Sequence, residues 1–508
     1  MNRMKQAHFF AIPTQGNVYT VKRLELADKS NKLLIATLKR QIYFFEYTEN
    51  SSGELIPLSK EVSFTYIPSG TEIISLDVFN KSEKGNDFVI GIAIIKTIVD
   101  TGVHETYLNI YSESESKVFN IENIAQNCLT LELNFTPYHL THTYLVTWQD
   151  GSLIKKEMVF LLSGSDKRIH VYKENIMNHF YKEIEADDLF PEFNNLPSVA
   201  LWMDVHYYKN CSERISAYGT ECGYLKLMKL CMKTNSVLFN YSTSFISPIT
   251  QLRIYPFNKT WTKPTFITSH KDEDELVDII NLNINEGMCD IHDEELTDDS
   301  SSQTNTVIEK NSTETPDVDD NINYIRKNDN LSMSIENIAD MESPISEDVC
   351  PDSKGYTFKE RVEKFDDIPN LNLVVVNATL PSVCFCDIVH NGLTAYTTLK
   401  RTDHSSVTSC LEIGDVDFDG VDEILIGSSA EEIKLYKLVN GTTVLKEIKK
   451  IVSPIFNIQY FDIIGDGVKE LIVLTMKGLY VLQHNEIDVQ RKLEEKVFKL
   501  TMPETNFT

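Results

Sequence analysis

The chain has 508 residues, 42% of them apolar and 10% aromatic, which is enough to bury a large core and too apolar for a wholly disordered polypeptide. Its formal charge is −27 with no Lys/Arg-rich patch, which excludes recognition of nucleic acid through a basic surface. Nine cysteines are scattered without a CxxC pair, and no apolar run reaches the roughly 18 residues of a membrane span, so a disulfide framework, a CxxC zinc site and a spanning helix are set aside.

In chain order, the first segment, MNRMKQAHFFAIPTQG, lacks the apolar centre of a signal peptide, and the chain reads as cytosolic and reduced. NVYTVKRLEL at 17–26 precedes the first complete hairpin and is expected to lend an outer strand to the last blade of a closed ring. Seven segments then share one form, a short apolar strand, a tight polar turn and a strand that usually carries an aromatic. They lie at 33–47, 87–112, 159–174, 214–230, 371–389, 423–438 and 470–484. Their spacing of about 50 residues, apart from one large gap, is a propeller signature. SLDVF, WMDVH, GDVDF and YFDII, which precede four of the hairpins, read as innermost strands with an Asp where the chain leaves each strand. Strands 433–438 and their equivalents alternate more and read as outer strands. The fold class expected is therefore all-β: a seven-bladed β-propeller with a long disordered acidic insertion and a C-terminal helix. Residues 1–270 would hold its first four to five blades and 366–484 the rest.

Residues 271–365 interrupt the ring. Between Lys271 and Cys350 there are 23 acidic and 4 basic residues, a net of −19 that leaves about −8 for everything else. A stretch so rich in Asp, Glu, Ser and Asn, and so poor in aromatics, buries too little apolar surface to offset its ordering entropy and is expected to be disordered. Ser343-Pro344 within it is a candidate phosphorylation site. After His484 the sequence turns helical over 485–508. Val489, Leu493, Val497 and Leu500 form one stripe that either packs on the propeller or faces a partner.

The chemistry-bearing segment is DVDFDGVDE. Asp415, Asp417, Asp419 and Glu423 stand at positions 1, 3, 5 and 9 of a loop, Val421 at position 7 offers a backbone carbonyl, and Gly420 allows the sharp turn. Convergent carboxylate oxygens suit calcium. The alternative is a metal-free turn in which the Asp side chains accept bonds from backbone amides. A second copy starts at Asp462 and keeps Asp466, Gly467 and Glu470 but has Ile464 at position 3, so a structural turn is the better reading there. Neither loop has a nucleophile beside a base. His139 and His142 are spaced i, i+3, which aligns two ligands only on a helix, and their surroundings read as strand. Cys384 and Cys386 share one strand face and read as a buried apolar pair. No catalytic residue and no required cofactor are expected.

DVDFDGVDEILIG and DIIGDGVKELIVL resemble FG-GAP repeats, the blade units of integrin α-chain propellers and their intracellular relatives. FTYIPSGTEIISLDVFNKS (64–82), NIENIAQNCLTLELNFTP (120–137), VFLLSGSDKRIHVYKEN (159–175) and LFPEFNNLPSVALWMDVH (189–206) are similar, within that family, to propellers of the KICSTOR complex. The resemblance covers nearly all of the chain except the acidic insert, which is longer here than the family's connection. It implies a non-enzymatic scaffold subunit, peripheral at the lysosomal membrane. Its implied partners are a second FG-GAP propeller protein, a very large scaffold protein and the GATOR assembly, and its implied role is negative regulation of TOR kinase signalling when amino acids or glucose are scarce. It also implies an alternative association with actin filaments in lamellipodia and stereocilia.

Overall fold

The computed structural model describes residues 4–257 and 370–501, apart from 83–84, 99–101, 114–118, 176 and 403–405. The expected insertion at 271–365 and Ser343-Pro344 lie outside the described residues. The described strands form seven four-stranded antiparallel sheets, the blades of a propeller. In chain order the innermost strands are Val21–Glu25, Thr71–Asn80, Pro137–Gln149, Ala200–Tyr208, Ile249–Pro256, Thr408–Gly414 and Ile455–Phe461.

The periodicity reading found the right hairpins, next to the innermost strands, but took their second members for the outer strands of the blades, whereas each blade has one more strand outside them. Each is the second and third strand of its blade. In blade six these are Glu423–Ser428 and Glu432–Val439, and the outermost strand is Thr442–Lys450. Second strands such as Glu470–Thr475 are buried at every position because neighbouring blades cover both faces. Outermost strands such as Leu55–Glu61 are almost wholly exposed, so burial leaves little mark on their sequence. Seven apolar clusters hold the ring, one in each gap between successive blades. The last of these joins Phe461, Ile463 and Leu474 of blade seven to Val21, Leu33 and Phe45 of blade one, so the ring is closed.

The closing strand differs from the expectation. Val21–Glu25, within the segment assigned to the last blade, is the innermost strand of blade one. The strand that completes blade seven is Lys5–Ala11, paired antiparallel with Gly478–Gln483. Burial decides the difference: Val21 and Leu24 point into the gaps between blades, whereas Lys5–Ala11 covers only a sheet edge. The Asp placement is also corrected. Asp415 and Asp462 follow their inner strands, but Asp77 and Asp204 lie within theirs.

Four strands per blade return the chain to the face from which it started, so all inner strands run in one sense. The turns after them share one face of the ring. The Asp415 and Asp462 loops therefore lie on the same face as the points where the chain leaves after Pro256 and returns at Leu371. Near the start of six of the inner strands the register slips, most often by one residue. These bulges free carbonyls that neighbouring blades use. Ile74 O accepts from Asn17 Nδ2 at 2.9 Å, and Ile455 O from Ser409 Oγ at 2.7 Å. In the C-terminal helix, Glu486–Thr501, Leu493 and Val497 of the stripe are 60% and 51% exposed.

Candidate functional site

The blade-six loop leaves its inner strand at Gly414 and re-enters the sheet at Glu423. Asp415 closes the turn by accepting from the amides of Asp419 (3.0 Å) and Gly420 (2.8 Å), and Asp419 accepts from Val421 N at 2.9 Å. Gly420 has φ +88°, the left-handed conformation this turn requires. One oxygen each from Asp415, Asp417 and Asp419 lies within 4.8 Å of the others, as a cation site would need. Val421 puts its side chain into the core between blades five and six.

A residue the sequence reading did not connect to the loop lies at its centre. Lys437, from the third strand of the same blade, reaches back so that Nζ meets Asp417 Oδ2 at 2.8 Å, Asp419 Oδ2 at 2.7 Å and Glu423 Oε1 at 2.5 Å. Glu423 is buried, and its second oxygen accepts from the amides of Val416 and Asp417 at 2.7 and 3.3 Å. Burial pushes the Glu423 carboxyl up to about 7, while Lys437 and the Val416 amide pull the other way. Burial also works against ionised Asp419, but Lys437 and the Val421 amide prevail and its pKa is lowered. Three of the four carboxylates a calcium ion would need are thus already held by an ammonium group, and a divalent ion does not fit among them without displacing Lys437.

The blade-seven loop repeats the turn without the ammonium. Asp462 accepts from Gly465 N (2.6 Å) and Gly467 N (2.8 Å), and buried Glu470 accepts from Ile463 N at 3.1 Å. Burial, with Asp466 and Asp462 nearby, raises Glu470 to about 8. The cross-strand neighbour of Glu470, in the place Lys437 takes beside Glu423, is Gln483; the next residue, His484, bonds Tyr460 Oη at 3.0 Å and packs on Phe418 at 4.6 Å. Tyr460 Oη also donates to Asp415 O at 3.3 Å, which ties the two loops together.

Around the ring axis, polar groups on the inner strands are committed to one another. Buried Asp77 pairs with Lys22 of blade one (2.9 Å) and His142 of blade three (2.7 Å). Asp204 accepts from Ile254 N at 2.6 Å, and Arg253 pairs with Glu412 at 2.6 Å. His139 stacks on Trp202 with centroids 4.3 Å apart, and Tyr19 packs against both rings at 5.4 and 5.8 Å, its hydroxyl donating to Leu201 O at 2.9 Å. Tyr19 belongs to blade one and Leu201 to blade four, so this stack spans the ring. His139 and His142 therefore serve two different contacts. Cys384 and Cys386 are buried in one cluster, as the strand reading expected.

The stretch 189–206 straps blade three to blade four. Arg214, fully buried, donates to Glu192 (2.8 Å), Leu189 O (2.9 Å) and Tyr207 Oη (3.0 Å) and lies over Phe190. Ser216 Oγ donates to the other Glu192 oxygen at 2.8 Å. No described helix is long and apolar enough to cross a membrane.

Comparison with known proteins adds the family. The family described as KICSTOR complex protein kaptin matches residues 4–290 and 317–494. The match thus enters the acidic insert from both ends and skips only 291–316, further than the sequence resemblance reached. The KICSTOR complex protein kaptin of Mus musculus is 29% identical over 486 residues, covering 94% of this chain and 87% of the mouse protein. Among solved structures, the chain is similar to BBS1N in complex with ARL6DN, at 8% identity and a TM-score of 0.46, covering 95% of this chain and 97% of that one. It is also similar to the Dos1 propeller, at 9% identity and a TM-score of 0.42, with 95% of each chain covered.

Proposed function

The chain belongs to the KICSTOR complex protein kaptin family, and from that premise we propose that it is a non-enzymatic scaffold subunit of a KICSTOR complex. In this reading it helps to recruit the GATOR assembly and so holds back TOR kinase signalling when amino acids or glucose run short. It acts from the cytoplasm at the lysosomal surface, beside a second FG-GAP propeller and a very large scaffold protein. The observation that carries the reading is the family match, which runs through all seven blades. The geometry supports the non-enzymatic part. The carboxylates at the axis are bound into ion pairs between blades, and an aromatic cluster bridges opposite sides of the ring. A general base needs a free pair of electrons aimed at a substrate, and Asp77 and Glu412 instead hold the ring closed. Association with actin filaments gains no support from this geometry.

Affinity purification of the full chain from fed and starved cells, with mass spectrometry of what is retained, tests the proposal. Recovery of the other KICSTOR subunits and of GATOR components is the expected result. A purification that recovers none of them in either condition overturns it.

A further inference from the structure

We propose that Lys437 is a tethered cation that takes the place of a metal ion in the blade-six loop, so that the loop keeps its shape metal-free, and that removing this one ammonium uncovers a divalent-cation site. The loop gathers Asp415, Asp417, Asp419 and Glu423 within nine residues, and such like charges must be neutralised to stay together. An ammonium has three N–H donors. Lys437 directs them to Asp417, Asp419 and Glu423 at 2.8, 2.7 and 2.5 Å, so none is left over. Those lengths lie close to the roughly 2.3–2.6 Å of calcium–oxygen bonds, so the cradle is of a size for either cation. The stem of Lys437 is held within a strand whose neighbours Tyr436 and Leu438 are buried, which fixes the ammonium in place rather than leaving it to sample solvent.

Blade seven serves as an internal control. Its loop has Ile464 where blade six has Asp417, and Gln483, the cross-strand neighbour of Glu470, where blade six has Lys437. The lysine and the additional carboxylate occur together in one loop and are both missing from the other. The main-chain turn is the same in both, with the first Asp accepting from a glycine amide five residues on, at 2.8 Å in each. A loop without the additional Asp thus closes its turn with no cation, and Lys437 answers to the extra carboxylate that blade six carries.

The test uses the full chain. Calcium chloride is titrated calorimetrically, and thermal unfolding is followed in EDTA and in calcium, for wild type, Lys437→Met and Lys437→Met/Asp417→Asn/Asp419→Asn. Wild type is expected to show no calcium heat and the same Tm in both buffers. Lys437→Met should unfold at a lower temperature in EDTA, recover in calcium but not in sodium chloride of equal ionic strength, and bind calcium stoichiometrically. The triple variant should recover its Tm without calcium. Should Lys437→Met fail to fold, folding of the triple variant still supports the neutralising role, and its failure counts against it. Stoichiometric calcium binding by wild type, or a folded Lys437→Met that gains no calcium affinity, overturns the proposal.

Discussion

Replacing Arg214 with Met keeps most of the side-chain volume and removes the charge, so it isolates the ion pair that pins the strap between blades three and four to blade four. In wild type, burial works against the charged guanidinium, and Glu192 and Tyr207 more than compensate, so its pKa is raised. After R214M, Glu192 keeps only the Ser216 hydroxyl, and Leu189 O loses its guanidinium donor. Glu192 is 1% exposed, so its charge would be stranded in a low-dielectric site. Removing one partner of a buried pair costs roughly 3–5 kcal/mol, whereas replacing both by apolar groups is far cheaper. The double variant R214M/E192L should therefore be less destabilised than the sum of its singles, with a coupling on the order of 1–3 kcal/mol. Trp148 and Trp202 lie in the two blades concerned, so urea unfolding followed by tryptophan fluorescence reads this region directly. A shift of less than about 1 kcal/mol for R214M, or strictly additive singles, would refute the reasoning.

Three further outcomes are expected. Burial opposes the charge of Asp77, but His142 and Lys22 hold it at about 2 against an ordinary 3.8. A lowered carboxylate pKa stabilises the fold above about pH 4 and loses that contribution as pH falls towards 2, so D77N should cost about 2 kcal/mol near neutrality and less with each step into acid. Acid titration of unfolding checks this, and a penalty that does not change with pH counts against it. Glu470 is shifted the other way, from 4.5 to about 8, chiefly by burial. Its proton stabilises the folded state fully below about pH 4.5 and is lost as pH rises through 8, so E470Q should gain on wild type in Tm between about pH 6 and 9. Parallel Tm curves over that range would contradict the assignment. Finally, a Cβ on Gly478 would lie 2.2 Å from Phe10 O in the closing pair. G478A should therefore loosen Lys5–Ala11, seen as faster amide exchange in that strand and in Gly478–Gln483, and unchanged exchange there would show that the pair can give way.

Much of the ring was legible because its middle strands are covered on both faces and write continuous apolar runs, as in ELIVLT. The outermost strands were not, since a strand with one bare edge carries a weak pattern; LIPLSKE of blade one is an example. The same weakness hid the closing strand, KQAHFFA, whose residues are at best half-buried. In the Asp415 loop, local spacing identified the carboxylates and the turn. It could not show Lys437, which lies 14 residues after Glu423 and meets the loop only through the fold. One signal was present: IKLYKL puts two lysines, Lys434 and Lys437, in a third strand that is otherwise almost wholly buried, and such lysines need partners. Phe190, Glu192 and Phe193, within a stretch that carried the resemblance, turn out to pack around or beside Arg214, a role no spacing rule expresses.

Closure by Lys5–Ala11 has a consequence for how the molecule is made. Lys5 pairs with Gln483, so Lys5–Ala11 leaves the ribosome long before the strand it must join. At roughly 5–20 residues per second that wait is on the order of half a minute to a minute and a half. Throughout it, blade seven does not exist, the two ends of an open arc of blades are bare, and the waiting strand presents Phe9 and Phe10 to whatever is nearby. Blades one to six can condense in order against their predecessors, but ring closure is a single late event, and until it occurs both ends of the arc stay open to solvent.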